Sequence, residues 1–357
     1  MDEAGKYRAD RKGQHFLLSP DASTLPITKV ASMKEDEAYR WFERSRWADN
    51  KGKPYCPDCG NLDVFSIRRR RYRCSAKECR REFSVTSGTI LANRKLKFRT
   101  LVMAIALAVH SVKGKAATQL KRELGVDYKT AFVLLHKLRE AIAAAREGTK
   151  LEDVVEMDGM YVGGHARPAN HAKDRVDRRV AENQTGKRVA AIALRERGRG
   201  ARTLAAAAPD ERGDVAWHLV RNHVQQGASL RADQHKSYDE LVGLVKMVRN
   251  NHDKAYVETN DASTNQVESF FSRARRAEIG IYHRMAGKYL DWYVADLAWR
   301  EDSRRTDFRT QAKRLLCRVL GVPTSRNMAG YWQRPGKRDQ PLVGWNPLSG
   351  MGATPVR

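Results

Sequence analysis

Three acidic side chains lie next to apolar segments in a chain that is otherwise strongly basic. Asp158 directly follows the largely apolar residues 154–157, and Asp233 directly follows residues 229–232. Short apolar runs of this kind predict buried strands, so each aspartate is expected at the end of a strand. Glu268 has apolar neighbours at helical spacing, which predicts a helix with this carboxylate beside its buried face, pointing toward the sheet.

Two strand-end aspartates and one helix-borne glutamate form a donor set that suits divalent cations. Mg²⁺ prefers oxygen ligands and binds through carboxylates together with phosphate oxygens. Two such ions, about 3.5–4 Å apart, activate the attacking oxygen and stabilise the leaving oxygen in phosphoryl transfer. We therefore expect Asp158, Asp233 and Glu268 to bind two catalytic Mg²⁺ ions. Taken singly, each acid also has an ordinary structural interpretation as a turn residue, a helix N-cap or a surface acid.

The elements that would position these acids form an α/β pattern. Residues 151–300 alternate short apolar runs with helical stretches, which is typical of an α/β domain. A helix is predicted over residues 214–226, between the segments that carry the two aspartates. This region is therefore expected to form the catalytic domain.

Four of the five cysteines lie within one short window, at Cys56, Cys59, Cys74 and Cys79. Because no secretory signal is predicted, this clustering favours a metal site over disulfides. Two cysteine pairs separated by a hairpin supply the four thiolates that tetrahedral zinc requires, so we expect a zinc ribbon holding one structural zinc ion. The alternative is four reduced cysteines without metal. Cys317 lies alone in an apolar helical run and is expected in the core.

An arginine run lies between the two cysteine pairs. It consists of Arg68, Arg69, Arg70, Arg71 and Arg73. Strands are predicted on either side, over residues 64–67 and 82–86. A zinc site with four protein ligands has no open position for chemistry, so the ribbon is expected to serve folding and DNA contact. Arginines on its hairpin would lie along phosphates and give affinity with little sequence readout.

The segment after the ribbon predicts a helix, a glycine-containing turn and a second helix. The first helix is predicted over residues 115–124, the turn at Gly125, and the second helix over residues 127–142 with Asp127 as N-cap. This is the layout of a helix-turn-helix motif, and the alternative is a plain helical connector. The candidates for outward-facing DNA contacts are Lys129, His136, Lys137 and Arg139.

The charge balance indicates a polyanionic partner. The 357 residues include 67 Lys and Arg against 42 Asp and Glu, a formal net charge of +25. A field of this size favours nucleic acid. The sequence has no apolar run long enough to span a bilayer, and its first residues lack the apolar region of a signal peptide. We therefore expect a cytoplasmic protein that binds double-stranded DNA.

Several ordered motifs resemble the DDE transposases of bacterial insertion sequences, in the subgroup with an N-terminal zinc ribbon and an ISXO2-like catalytic domain. The similar segments are residues 74–97, 157–164, 232–238, 265–271 and 279–285. The resemblance covers about residues 35–300, and its motifs occur in the family's order.

This resemblance implies an RNase H-like fold and metal-dependent DNA cleavage with strand transfer. It places Asp158, Asp233 and Glu268 in the catalytic triad. Asn265 matches a polar residue one helical turn before the glutamate and is expected to help position metal or water. Arg275 matches a basic residue that contacts DNA in such enzymes. The expected fold class is thus α/β, with a mixed sheet flanked by helices, preceded by a zinc ribbon and a helix-turn-helix region.

The sequence departs from the family's pattern at a few positions. Ser263 stands where relatives often carry His, and Gly159 and Met160 stand where they often carry Glu and Thr. The second cysteine pair is also wider than usual. Because the triad is complete, these departures bear on fine specificity more than on the reaction.

A basic loop is expected between the first two strands of the catalytic domain, over residues 165–187. It is interpreted either as a DNA-contacting arm near the site or as a solvated loop. Residues 188–196 and 201–207 would then form the second and third strands.

The sequence divides into five segments. They are an N-terminal helical segment (1–50), the zinc ribbon (51–95), the helix-turn-helix region (96–150), the DDE domain (151–300) and a basic C-terminal helix and tail (301–357). We expect a transposase that binds element ends and target DNA as a homodimer or larger assembly, by analogy with its family. The alternatives are a non-enzymatic zinc-ribbon regulator, which would need no acidic triad, and a nuclease of the same fold without strand transfer.

Overall fold

The structure is a computed structural model. It describes residues 15–68, 70–163, 169–176, 188–198, 200–233, 236–249, 263–285, 287–343 and 347–348. The chain forms two compact units. The first unit contains residues 1–145 and 303–339, and the second unit contains residues 146–302 and 340–357.

The two units differ in their secondary structure. The α-helices of the described residues are α1 (Ile27–Ala31), α2 (Glu35–Arg46), α3 (Phe98–His110), α4 (Ala117–Leu124), α5 (Tyr128–Ala144), α6 (Gly213–His223), α7 (Asn265–Ala277), α8 (Leu290–Asp302) and α9 (Phe308–Gly321). The strands are β1 (Val64–Ile67), β2 (Arg71–Cys74), β3 (Glu82–Ser84), β4 (Val154–Gly163), β5 (Arg188–Glu196), β6 (Thr203–Ala208), β7 (Ser229–Ala232) and β8 (Lys246–Arg249).

The three short strands of the first unit form an antiparallel sheet in the order β1-β2-β3. Side chains alternate along β2, so that Tyr72 is buried while Arg71 and Arg73 are exposed. Tyr72 packs edge-on against Trp47, with ring centroids 5.6 Å apart, and against Phe83 of β3. These aromatic contacts join the ribbon to the segment that follows α2.

The helix-turn-helix layout predicted from the sequence is present in the first unit. Helix α4 ends at Gly125, whose φ of 64° is the left-handed conformation that glycine adopts without strain. Helix α5 begins after Asp127, which occupies the N-cap position with an extended backbone. The two helices pack against each other across this turn.

Residues 303–339 cover part of the α5 surface that the sequence predicts to face outward. Helix α9 packs on α5, and the Phe132 ring packs edge-on against the Trp332 ring, with centroids 5.8 Å apart. Glu140 accepts a hydrogen bond of 2.6 Å from the Ser325 hydroxyl. Helix α5 is therefore buried on more sides than a helix with one apolar stripe would be.

The second unit contains a five-stranded sheet in the order β6-β5-β4-β7-β8. Strands β4, β5 and β6 pair in antiparallel fashion, whereas β7 is parallel to both β4 and β8. Helices lie on both faces of this mixed sheet. The predicted α/β fold class, with a mixed sheet flanked by helices, is confirmed.

Strand β4 contributes to a core on each face of the sheet, because successive strand side chains point to opposite sides. Val155 and Met157 pack in the core that includes α6. Met160 and Val162 pack in the core that includes α7 and α8. The central strand is thus held by helices from both sides.

The prediction that Asp158 ends its strand is wrong. Strand β4 continues to Gly163, because β5 pairs with it along this whole stretch, from Asp158 opposite Ala193 to Gly163 opposite Arg188. Pairing with β7, in contrast, reaches only as far as Glu156. At Asp158, β4 is therefore still paired with β5 on one side but no longer paired with β7 on the other.

The predicted C-terminal segment, residues 301–357, divides between the two units, since residues 303–339 belong to the first and residues 340–357 to the second. The prediction of a buried Cys317 is wrong. The buried side of α9 runs through positions such as Leu315 and Leu316, and Cys317 lies off that stripe. The basic loop predicted over residues 165–187 is described only at residues 169–176.

Candidate functional site

Asp158 is a half-buried carboxylate in the middle of β4. Its Oδ1 accepts a hydrogen bond of 2.7 Å from the backbone N–H of Gly159. Burial, together with the nearby carboxylates of Glu211, Asp233 and Glu268, raises the pKa of Asp158 to about 7, although the Gly159 N–H acts in the opposite direction. The site therefore brings negative charge together around Asp158.

Asp233 directly follows β7, the parallel neighbour of β4. The last paired positions of these strands are Glu156 and Arg231. Asp158 lies two residues beyond the first of these positions, and Asp233 lies two residues beyond the second. The two aspartates therefore lie equally far beyond the paired stretch of two adjacent parallel strands, and Asp233 is close enough to Asp158 to raise the pKa of its carboxyl group.

Glu268 lies in the first turn of α7 and is half-buried. The Thr264 hydroxyl donates a 2.5 Å hydrogen bond to its Oε1, and the backbone N–H of Glu268 donates to the Thr264 carbonyl at 3.0 Å. The predicted core stripe is buried, with Val267 and Phe270 packed toward the sheet. Asn265, the first residue of α7, is exposed.

Asp233 and Glu268 both lie within electrostatic range of Asp158. Within the described residues, the oxygen atoms of these three carboxylates do not all lie as close to one another as the four cysteine sulfurs do. Carboxylates repel one another at close range. Their donor set is carboxylate oxygens from three separate elements, which is the chemistry that Mg²⁺ prefers, so the residues fit a divalent cation.

A fourth carboxylate, Glu211, belongs to this region and was not identified from the sequence. The Tyr238 hydroxyl donates a hydrogen bond to its Oε1. A Cβ atom on Gly159 would lie within 3.0 Å of the Glu211 carboxyl group. Glycine at position 159 thus leaves the space that this carboxylate occupies. Glu211 stands beside Asp210 in a polar segment before α6 and has no distinctive spacing, and the glycine beside Asp158 is the sequence signal that could have pointed to it.

The four predicted zinc ligands come together in the ribbon. Their sulfur atoms all lie within 4.8 Å of one another. Cys56 Sγ is 3.7 Å from Cys79 Sγ, and Cys59 Sγ is 3.5 Å from Cys74 Sγ. Tetrahedral zinc with Zn–S bonds of about 2.3 Å places its sulfurs roughly 3.8 Å apart. The cysteine geometry therefore fits a single zinc ion.

Much of the arginine run is engaged in ion pairs within the first unit. Arg70 lies 2.5 Å from Asp36 of α2. Arg71 and Arg73 both contact Glu82 across the β2–β3 pair, at 3.5 and 2.5 Å. These pairs are solvent-exposed and are worth about 0–1 kcal/mol each. The arginines can thus exchange these partners for phosphates at small cost.

The other predicted arginine contacts differ in their surroundings. Arg68 is exposed on the hairpin, and Arg69 lies outside the described residues. Arg275 is exposed on α7, whereas its neighbour Arg273 forms a 2.6 Å ion pair with Glu301. Arg275 therefore remains accessible on the helix that carries Glu268.

The predicted outward face of α5 is only partly exposed. Lys129, in its first turn, is exposed. The prediction is wrong for His136 and Arg139, both of which are buried. Lys137 is half-buried, and burial lowers its pKa, against the opposite effect of Glu140. Residues 303–339 cover the helix near His136, where the adjacent Phe132 ring packs against Trp332. Arg139 instead donates a hydrogen bond to the Lys115 carbonyl, just before α4.

Two family models match the chain. Residues 150–302 match the ISXO2-like transposase domain, and residues 33–82 match the transposase zinc-ribbon domain. Together the two matches span more than half of the chain. The chain contains an ISXO2-like transposase domain and a transposase zinc ribbon. The resemblance inferred from the motifs is therefore confirmed.

The two matches divide the candidate functional residues between them. The zinc-ribbon match contains all four clustered cysteines, and the ISXO2-like match contains Asp158, Asp233 and Glu268. These domains support a transposase function and imply DNA as the partner. No curated protein and no solved structure matches the chain. Among the described helices, none combines the length and apolar character needed to cross a membrane.

Proposed function

We propose that this transposase binds the ends of an insertion sequence and catalyses metal-dependent DNA strand cleavage followed by strand transfer. One observation carries the proposal. Asp158 of β4 and Asp233, just after β7, each lie two residues beyond the last paired positions of these adjacent parallel strands, and both aspartates and Glu268 lie within the ISXO2-like domain. Three carboxylates from two strands and one helix form a site for phosphoryl transfer.

We assign the metal ligands to Asp158, Asp233 and Glu268. When bound, two Mg²⁺ ions would supply the Lewis acidity and the activated water of phosphoryl transfer. Asp158 must lose its proton before it binds a cation. Asn265, exposed at the start of α7, would help to position water or metal. Arg275 follows Glu268 by two helical turns on the same side of α7, where it would contact a DNA phosphate.

We assign recognition of the element ends to the first unit. The zinc-bound ribbon would present Arg68 and its neighbouring arginines to phosphates. The first turn of α5, with Lys129 exposed, would approach the bases in the manner of a recognition helix. Because two ends must be held together during transposition, we propose a homodimer or a larger assembly on DNA, with the protein in the cytoplasm.

A strand-transfer assay tests this proposal against the two alternatives. Purified full-length protein is mixed with labelled DNA that carries the inverted repeats flanking its gene, a supercoiled target plasmid and Mg²⁺. The proposal predicts labelled end joined to plasmid, and no joined product with Asp158→Asn. Asp239→Asn serves as the control, since Asp239 is an exposed acid paired with Arg249.

The products distinguish the functional classes. Cleaved ends that never join the plasmid would identify a nuclease. Specific binding without cleavage in Mg²⁺ or Mn²⁺ would identify a regulator. Either outcome contradicts the proposed transposition reaction.

A further inference from the structure

Glu156 is a buried carboxylate that the proposed chemistry does not use. It lies on β4, two residues before Asp158, and its exposed fraction is 0%. Side chains two residues apart in a strand share a face. Glu156 therefore lies on the same side of the sheet as Asp158, toward α7. A buried charge is costly unless it is paired and hydrogen-bonded, so the contacts of this carboxylate call for explanation.

One oxygen of Glu156 binds the start of α7. Its Oε2 accepts the backbone N–H of Gln266 at 2.8 Å and that of Val267 at 2.9 Å. The first N–H groups of a helix have no partner within the helix, and its N-terminus carries partial positive charge. Glu156 thus satisfies two of these donors and attaches the helix end to the strand. The same N–H groups are consequently not available to a DNA phosphate.

The other oxygen of Glu156 binds Arg197, which directly follows β5. Arg197 Nε donates to Glu156 Oε1 at 2.7 Å. Arg197 Nη2 donates to the Ser263 carbonyl at 2.6 Å and also to the Ser263 hydroxyl. Ser263 lies two residues before α7. The guanidinium therefore holds the chain entering α7 while it neutralises the carboxylate beneath it.

We propose that Glu156, together with Arg197, is a positioning residue that sets Glu268 relative to Asp158. The first turn of α7 contains both the N–H groups that Glu156 binds and the carboxylate of Glu268, and β4 contains both Glu156 and Asp158. One buried side chain thus connects two of the three proposed metal ligands. This inference rests on the proposed function, and it adds a residue that would act on metal binding without touching the metal.

The test compares Glu156→Gln with the parent protein. Glutamine keeps the size of the side chain, but it loses the charge and replaces one acceptor oxygen with a donor. We expect the affinity for Mn²⁺, titrated on the full-length protein by electron paramagnetic resonance, to fall about 10- to 100-fold. Cleavage should fall at low Mg²⁺ and recover at high Mg²⁺, while binding to element-end DNA should stay at the parental level.

The matched control is Glu152→Gln. Glu152 lies just before β4 on the same segment, is exposed and pairs with Arg202. It does not belong to the network at α7, so its variant should bind Mn²⁺ with parental affinity. A parental Mn²⁺ affinity in folded Glu156→Gln would overturn the inference.

Two further variants keep the outcomes distinct. If Glu156→Gln does not fold, Arg197→Lys is measured instead, since lysine keeps the charge but cannot reach both Glu156 and Ser263; parental affinity there overturns the inference as well. Asp158→Asn tests the proposed function separately. If Asp158→Asn cleaves DNA at the parental rate, the proposed function is contradicted. If Asp158→Asn loses cleavage but Glu156→Gln binds Mn²⁺ with parental affinity, only the positioning role of Glu156 is contradicted.

Discussion

Asp158 illustrates how a strand position changes the chemistry of one residue. Its carboxylate is held in a sheet beside other acids, and burial raises its pKa to about 7 from an ordinary value of 3.8. Ionised carboxylates are costly in such surroundings unless a cation compensates them. The same features that make Asp158 unfavourable as a lone anion make it suitable as a metal ligand.

This raised pKa predicts a pH-dependent stability in the absence of divalent cations. Between about pH 4 and pH 7 the folded protein holds a proton that the unfolded chain releases, so the free energy of unfolding falls as pH rises through this window. Asp158→Asn removes that dependence. In EDTA, we expect the variant to unfold at a higher temperature than the parent at pH 8 and the difference to narrow toward pH 4. A difference that stays constant between pH 4 and pH 8 would contradict this assignment.

Gly159 provides a second prediction at the scale of single residues. A methyl group there would enter the space of the Glu211 carboxylate. Gly159→Ala should therefore displace the Glu211 carboxyl group from Tyr238 and lower the free energy of unfolding by about 1 kcal/mol, through loss of that hydrogen bond. Gly243→Ala is the control, because a Cβ at Gly243 meets no atom within 4 Å. Equal stability of the two variants in urea unfolding would show that Glu211 does not need this space.

Among single residues, the sequence predicts those functional side chains that occur at a characteristic spacing along the chain. The cysteine pairs and the acids next to apolar runs have such spacing. Glu211 and Glu156 do not, because their roles depend on Tyr238 and on the start of α7, which are distant in the chain. A buried carboxylate that binds a helix end is recognisable only when the helix has been placed.

At the scale of elements, the zinc ribbon should depend on its metal. The side chains of Cys56, Cys59, Cys74 and Cys79 bring two turns of the ribbon together, and Tyr72 and Phe83 pack on each other in its sheet. We expect Cys59→Ser to lose about one zinc ion per chain and much of the near-ultraviolet circular dichroism of these aromatic residues.

Cys317→Ser is the matched control for this experiment, since Cys317 is an exposed cysteine on α9. It should retain zinc and the aromatic signal of the parent. Full zinc content in Cys59→Ser, measured by elemental analysis, would contradict the four-cysteine site.

Most of the helices and strands are predictable from the sequence. Where each one ends, and which of its side chains are buried, is less predictable. Strand β5 has the bounds predicted for it, Arg188–Glu196. Strand β4 continues beyond Asp158 because it stays paired with β5 as far as Gly163. The sequence alone predicts an earlier end, because a glycine after an acidic residue is typical of a turn. His136 and Arg139 were placed outward because the helical pattern of α5 does not show a second covering layer.

At the scale of the whole molecule, the net charge of +25 is only partly available to a partner. Arg70, Arg71 and Arg73 already contact acids in the ribbon or α2. Phosphates would replace these weak surface pairs, and each neutralised phosphate releases counterions. Binding to element-end DNA should thus weaken steeply with salt.

We expect a double variant, Arg71→Gln with Arg73→Gln, to show a shallower salt dependence, with the slope of log affinity against log salt reduced by about 1–2. Fluorescence anisotropy over a salt series measures this slope. Arg212→Gln, which removes an exposed arginine paired with Asp210, is the control. An unchanged slope in the double variant would remove the ribbon from the DNA interface.

The organisation into two units was not accessible from the sequence. Residues 303–339 join the first unit after the chain has passed through residues 146–302 of the second unit. Contacts such as that of the Thr24 hydroxyl with Asp307, at 2.5 Å, connect residues that no local pattern relates. Composition marked the C-terminal region as basic, but only packing decides which unit it completes.

The central claim is that Asp158, Asp233 and Glu268 together carry metal-dependent DNA cleavage. The most direct measurement is the single-turnover rate of strand cleavage at the element end, for the parent and for Asp158→Asn, Asp233→Asn and Glu268→Gln, with DNA binding measured in parallel. We expect each variant to bind the DNA like the parent and to cleave it at least about a thousandfold more slowly. Cleavage at the parental rate by any one of these variants would contradict the claim.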